Sequence, residues 1–143
     1  MKARQVFGII AIAVMVTGIG VASYLSRPSR ITAALLNVTK LPSSLRNSEC
    51  SSLLSQDTIT TCSFEIDPAD ASHLIAGWPY SSQIEGTGSS DELGWGLKVG
   101  KPFPVSFIYE YSTDQGAGPY THIDVSLMFN AERNRGMVTF FGL

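Results

Sequence analysis

The sequence predicts an α+β protein. An N-terminal transmembrane helix leads into one small domain, an antiparallel sheet of about five strands with one helix packed on a face. Three observations predict this. A run from Val6 to Leu25 carries no charge. Two cysteines, Cys50 and Cys62, flank a polar turn. The last third of the chain alternates apolar and polar residues with the period of a strand.

The apolar run sets the domain boundaries. Twenty residues at about 1.5 Å each make about 30 Å of helix, the thickness of a hydrocarbon core. Residues 1–26 therefore read as a transmembrane anchor, with membrane contact through residues 6–25, or as a signal segment cut near Ala22 or Ser23. The run exceeds the usual signal core of about 7–15 residues, which favours the anchor. Charge does not decide the orientation. Lys2 and Arg4 lie before the span, and Arg27 and Arg30 follow it. Residues 27–42 read as a linker, broken from the span by Pro28, with one or two helical turns in Ile31–Leu36. Residues 43–143 read as the α+β domain.

The cysteines decide the compartment. "SECSSLL" and "TITTCSFEI" read as two strands around a turn centred on Gln56. Opposed residues then sum to 112 in number, so Cys50 faces Cys62. Opposed Cα atoms in an antiparallel pair lie about 4.5–5.5 Å apart, within the range a disulfide accepts. Such a bond adds about 3 kcal/mol by restricting the unfolded chain. It also implies an oxidising compartment, so the domain is expected on the periplasmic or extracellular side. Zinc is disfavoured, because Cys50, Cys62, His73 and His122 include no close ligand pair.

A short helix is expected over "DPADASHLIAGW". Asp67 caps it, Pro68 takes its first position, Asp70 lies in its first turn, and Gly77 ends it. "PYSSQIEGTGSSDELGWG" has the composition of a mobile loop. Strands follow in "KPFPVSFIYEY", "THIDVSLMFN" and "GMVTFFGL". The first puts Val105, Phe107, Tyr109 and Tyr111 on one face. The second puts Ile123, Val125, Leu127 and Phe129 inward. Pro102 and Pro104 belong in an edge or lead-in. The last two strands are expected to pair across "AERNRG".

Composition excludes some partners. The whole chain carries a net charge of −2, but all twelve carboxylates fall after residue 31 against six Lys and Arg, leaving −6. Nucleic acid is therefore not an expected partner. No G-x-S-x-G elbow or phosphate loop with its lysine occurs. No catalytic residue, metal or cofactor is assigned.

Two functional expectations remain. The first is a membrane-anchored, exported, non-enzymatic domain that binds a protein or envelope component through loop aromatics Trp78, Tyr80 and Trp95. The alternative is an envelope enzyme or ligand-binding subunit using Asp70, His73 and Asp124. Asp70 and His73 are three residues apart on the short helix, so they can meet, and the sheet would have to bring Asp124 or His122 to them. The carboxylates of Glu65, Glu110 and Asp124 sit on polar strand faces, where solvated charges normally lie.

Overall fold

The computed structural model describes residues 27–54, 57–115 and 118–143 of the chain. The expected span, residues 6–25, lies outside them, as does Gln56 at the expected turn. No helix among the described residues is long and apolar enough to cross a membrane.

Six antiparallel strands form one sheet in the order β1-β2-β6-β5-β4-β3. The strands are β1 (Arg46–Leu54), β2 (Thr58–Glu65), β3 (Ser82–Glu85), β4 (Phe107–Thr113), β5 (Ile123–Phe129) and β6 (Arg135–Gly142). The helices are few and short: α1 (Pro28–Leu35), α2 (Ala71–Ile75), entered through a 3₁₀ turn at Pro68–Asp70, and α3 (Ser90–Leu93). The extra strand beyond the expected five is β3. It comes from the stretch read as a loop, and it pairs its four residues with β4.

The first hairpin has the expected register. Cys50 pairs with Cys62, and Leu54 with Thr58. The disulfide joins the cysteines at an S–S distance of 2.03 Å, with their Cα atoms 4.1 Å apart. The β5–β6 pairing is also as expected. The chain then makes a move the sequence did not display: β6 inserts between β5 and β2, pairing Val138 with Cys62.

Residues from the segment read as a linker enter the core. Pro28 occupies the first turn of α1, where its missing N–H costs nothing. Leu36 is fully buried. Thr32 is also fully buried, with its hydroxyl bonded to the Pro28 carbonyl at 2.9 Å and to Ser48 Oγ at 2.6 Å. Asn37, at φ 54°, closes the helix in a Schellman turn, with Val38 N–H donating to Ala33 O and Asn37 N–H to Ala34 O.

The expected second helix is shorter than its sequence suggested. Asp67 caps it as anticipated, accepting from Ala69 N–H at 3.0 Å. Only five residues then take α-helical form. Gly77 is required for a reason other than a left-handed turn: a Cβ there would lie 1.9 Å from the Leu36 carbonyl oxygen. The C-terminal ends of the two helical segments approach that closely.

Register assigns each strand residue to a face. On the helix-covered face, Cys62, Val138, Leu127 and Tyr109 stand in one row across four strands. Together with Leu36, Ile66, Leu74 and Phe129 they form the main core. The opposite face has three rows. Met137, Met128 and Ile108 form the first, covered by Phe103, Val105 and Leu93 in a second, smaller core. Val105 therefore faces away from Tyr109, contrary to the expected alternation. The chain from Pro102 to Ser106 is a lead-in that folds back over the sheet, joined to the segment before α3 by the Ser89–Pro104 bridge. The second row is Thr61, Thr139, Ser126 and Glu110. The third is Ile59, Phe141, Asp124 and Ser112. Among the described residues, no helix packs over these last two rows.

Candidate functional site

The open half of the sheet carries a pocket of about 360 Å³. Its floor is polar because the second and third rows supply it: Ser126, Thr139, Glu110, Asp124 and Ser112. Its walls are apolar: Leu93, Ile108, Met128, Phe141 and Trp95. The hydroxyls of Thr61 and Thr139 satisfy each other beneath this face at 3.1 Å.

Trp95 is held over the pocket by an unusual backbone. It lies between Gly94 and Gly96 at φ 58°, in the left-handed region that a bulky side chain seldom adopts. Such a conformation costs on the order of 1 kcal/mol and persists where surroundings or function require it. The indole lies flat on Phe141, with ring centroids 5.2 Å apart and planes 3° apart. Even so, Trp95 remains 55% exposed. Gly94 permits the approach, since a Cβ there would crowd the Ser90 carbonyl at 2.9 Å and Met137 Sδ at 3.0 Å.

The other two predicted aromatics are committed to packing. Trp78 stacks on Tyr111 at 5.0 Å and donates its indole N–H to the Leu35 carbonyl at 2.7 Å. Tyr80 packs on Tyr109 at 6.0 Å. Burial raises the Tyr80 phenol well above its ordinary pKa, and its hydroxyl has no protein partner among the described residues. Trp78 and Tyr80 extend the covering layer of the main core across β4. The peptide bond between Trp78 and Pro79 is trans.

Asp70, His73 and Asp124 do not come together. Asp70 accepts from Ser44 Oγ at 2.6 Å. His73 Nε2 donates to the Lys40 carbonyl at 3.1 Å. Both border a shallow hollow beside Lys40–Ser43, on the helix-covered side. Asp124 lies on the opposite face, in the pocket with Trp95. The sheet itself separates them, because Asp124 alternates with inward-facing Ile123 and Val125.

Asp124 instead meets His122, the other residue expected as a possible third group. His122 lies between two carboxylates, with Nε2 2.9 Å from Asp124 Oδ2 and Nδ1 2.7 Å from Asp114 Oδ1. Only the imidazolium form has an N–H on both nitrogens to donate. The bonds to Asp124 and then Asp114 raise the His122 pKa above its usual value, against partial desolvation. For Asp124, desolvation pushes upward, but bonds from Ser112 and His122 outweigh it and hold the carboxyl below its usual range. The available sequence signal was the spacing of His122 and Asp124, which puts both on the same strand face. Asp114 lies across the β4–β5 connection and gave no such sign.

The arrangement offers acceptors, hydroxyls and aromatic surface. No group of His, Cys, Asp and Glu among the described residues is placed to hold a metal ion. No family model, curated protein or solved structure matches this chain.

Proposed function

We propose that this protein is a membrane-anchored, exported binding module without enzymatic activity. Its contact surface is the open half of the sheet around Trp95. The observation that carries this reading is the 55% exposed indole, held in a left-handed backbone above a pocket. Exposed aromatic anchors beside pockets dominate many protein interfaces. Trp95 takes over the role that the sequence shared among three aromatics, because the other two fill the core layer.

The Cys50–Cys62 bond supports placement in an oxidising compartment, periplasmic or extracellular. The uncharged run at residues 6–25 supports tethering to the membrane. The partner is a protein or another envelope component.

The test is site-specific crosslinking in cells that express the full chain. A photo-reactive amino acid at position 95 is expected to give a discrete adduct. The same group at Ser72, exposed on the helix-covered side, is expected to give none. Equal labelling from both positions would reject the open face as the contact surface.

A further inference from the structure

We infer that the pocket on the open face receives a guanidinium or ammonium group carried by a basic segment of a protein partner. This rests on the reading of that face as the contact surface, and it names the chemistry the face selects. The first argument is charge. Glu110 and Asp124 both border the pocket, no Lys or Arg among the described residues does, and the imidazolium of His122 beside it is shared between Asp124 and Asp114. Residues 31–143 carry a net −6, a field that draws cationic partners.

Geometry supplies the second argument. Glu110 pairs with Ser126, and Asp124 pairs with Ser112, on neighbouring strands and the same face. The two carboxylates are therefore diagonal neighbours, with Cα atoms about 7–8 Å apart. A single cation between them comes within reach of both. A guanidinium suits this position best, because its planar fork donates in two directions at once.

The third argument is the ring. One face of the Trp95 indole lies on Phe141, so its exposure falls on the other face and the edge. A cation resting there gains the attraction of the ring quadrupole, strongest for tryptophan. Aromatic wall and acidic floor thus favour the same ligand group. A neutral ligand would use the wall but would gain nothing from the two charges.

The experiment uses the full chain in micelles of an uncharged detergent. It is titrated with an acetylated tri-arginine amide and with the matching tri-citrulline peptide, a neutral shape analogue. The Trp95 indole N–H resonance reports on the site. The arginine peptide is expected to shift that resonance and to bind about tenfold or more tighter than citrulline, less so at high salt. Glu110→Gln and Asp124→Asn are each expected to weaken it by about fivefold. Equal binding of both peptides with a Trp95 shift would overturn the cation inference and leave the contact face standing. Arginine binding that spares Trp95 and ignores both carboxylate variants would overturn the inference. So would absence of binding at millimolar peptide. In those cases the adduct at position 95 judges the contact face separately.

Discussion

Trp95 lies parallel to Phe141 at 5.2 Å, on the face of the sheet opposite α1 and α2, while Trp78 stacks on Tyr111 on the face they cover. Two tryptophans in the same sequence neighbourhood thus serve different ends. One completes a core layer and the other stands over a pocket.

Their substitutions are expected to separate accordingly. Trp78→Ala removes a stacked, hydrogen-bonded ring and is expected to cost about 3 kcal/mol. Trp95→Ala loses one ring pair at an exposed site and is expected to cost about 1 kcal/mol. Urea denaturation of both variants measures the difference. Affinity for the tri-arginine peptide, measured by calorimetry, should follow the opposite order, weakened by Trp95→Ala and kept by Trp78→Phe.

The disulfide closes a short loop and acts mainly on the unfolded chain. Reduction, or the Cys50→Ala/Cys62→Ala pair of changes, is expected to lower stability by about 3 kcal/mol. A lower urea midpoint with an unaltered far-ultraviolet spectrum would show this. Native protein is expected to show no free thiol until reductant is added.

The segment ahead of β1 is expected to be structural. Leu36→Ala empties a fully buried site and is expected to cost about 3 kcal/mol. Gly77→Ala drives a methyl into the Leu36 carbonyl and is expected to cost about 2–3 kcal/mol. Gly96→Ala, with open space around it but a φ of 74°, is expected to cost only about 1 kcal/mol. Thermal unfolding of the three variants ranks them.

The Asp114–His122–Asp124 cluster sets a pH window. His122 has a raised pKa, so its contribution is complete below about pH 6.5 and fades as pH rises through the higher folded value. Asp124 has a lowered pKa, so its contribution is present above about pH 3.8 and fades as pH falls through the lower folded value. The cluster therefore stabilises most between those limits. A histidine NMR titration is expected to place His122 above 6.5. Asp124→Asn should bring it back down, and Asp114→Asn should lower it less.

Local features were legible in the sequence. The numbering sum of 112 fixed the Cys50–Cys62 pairing, since a tight antiparallel hairpin leaves no other partner. The Asp67 cap, the inward face of Ile123–Phe129 and the β5–β6 hairpin were readable for the same reason: each depends on residues near one another in the chain. β3 was missed because its four residues, Ser82–Glu85, have no alternation to show and owe their strand form to β4. Val105 lies on the other face from the one alternation predicts, because Pro104 ends the strand pattern just beside it.

Long-range packing decided the rest. Insertion of β6 between β2 and β5, burial of Leu36, and the sorting of Trp78 and Trp95 to opposite faces each depend on segments far apart in sequence. Alternation states that neighbouring residues face opposite ways. It cannot state which face the helices will cover. That choice, made by α1 and α2 packing over one side, turned Asp124 away from His73 and gave it to the pocket beneath Trp95.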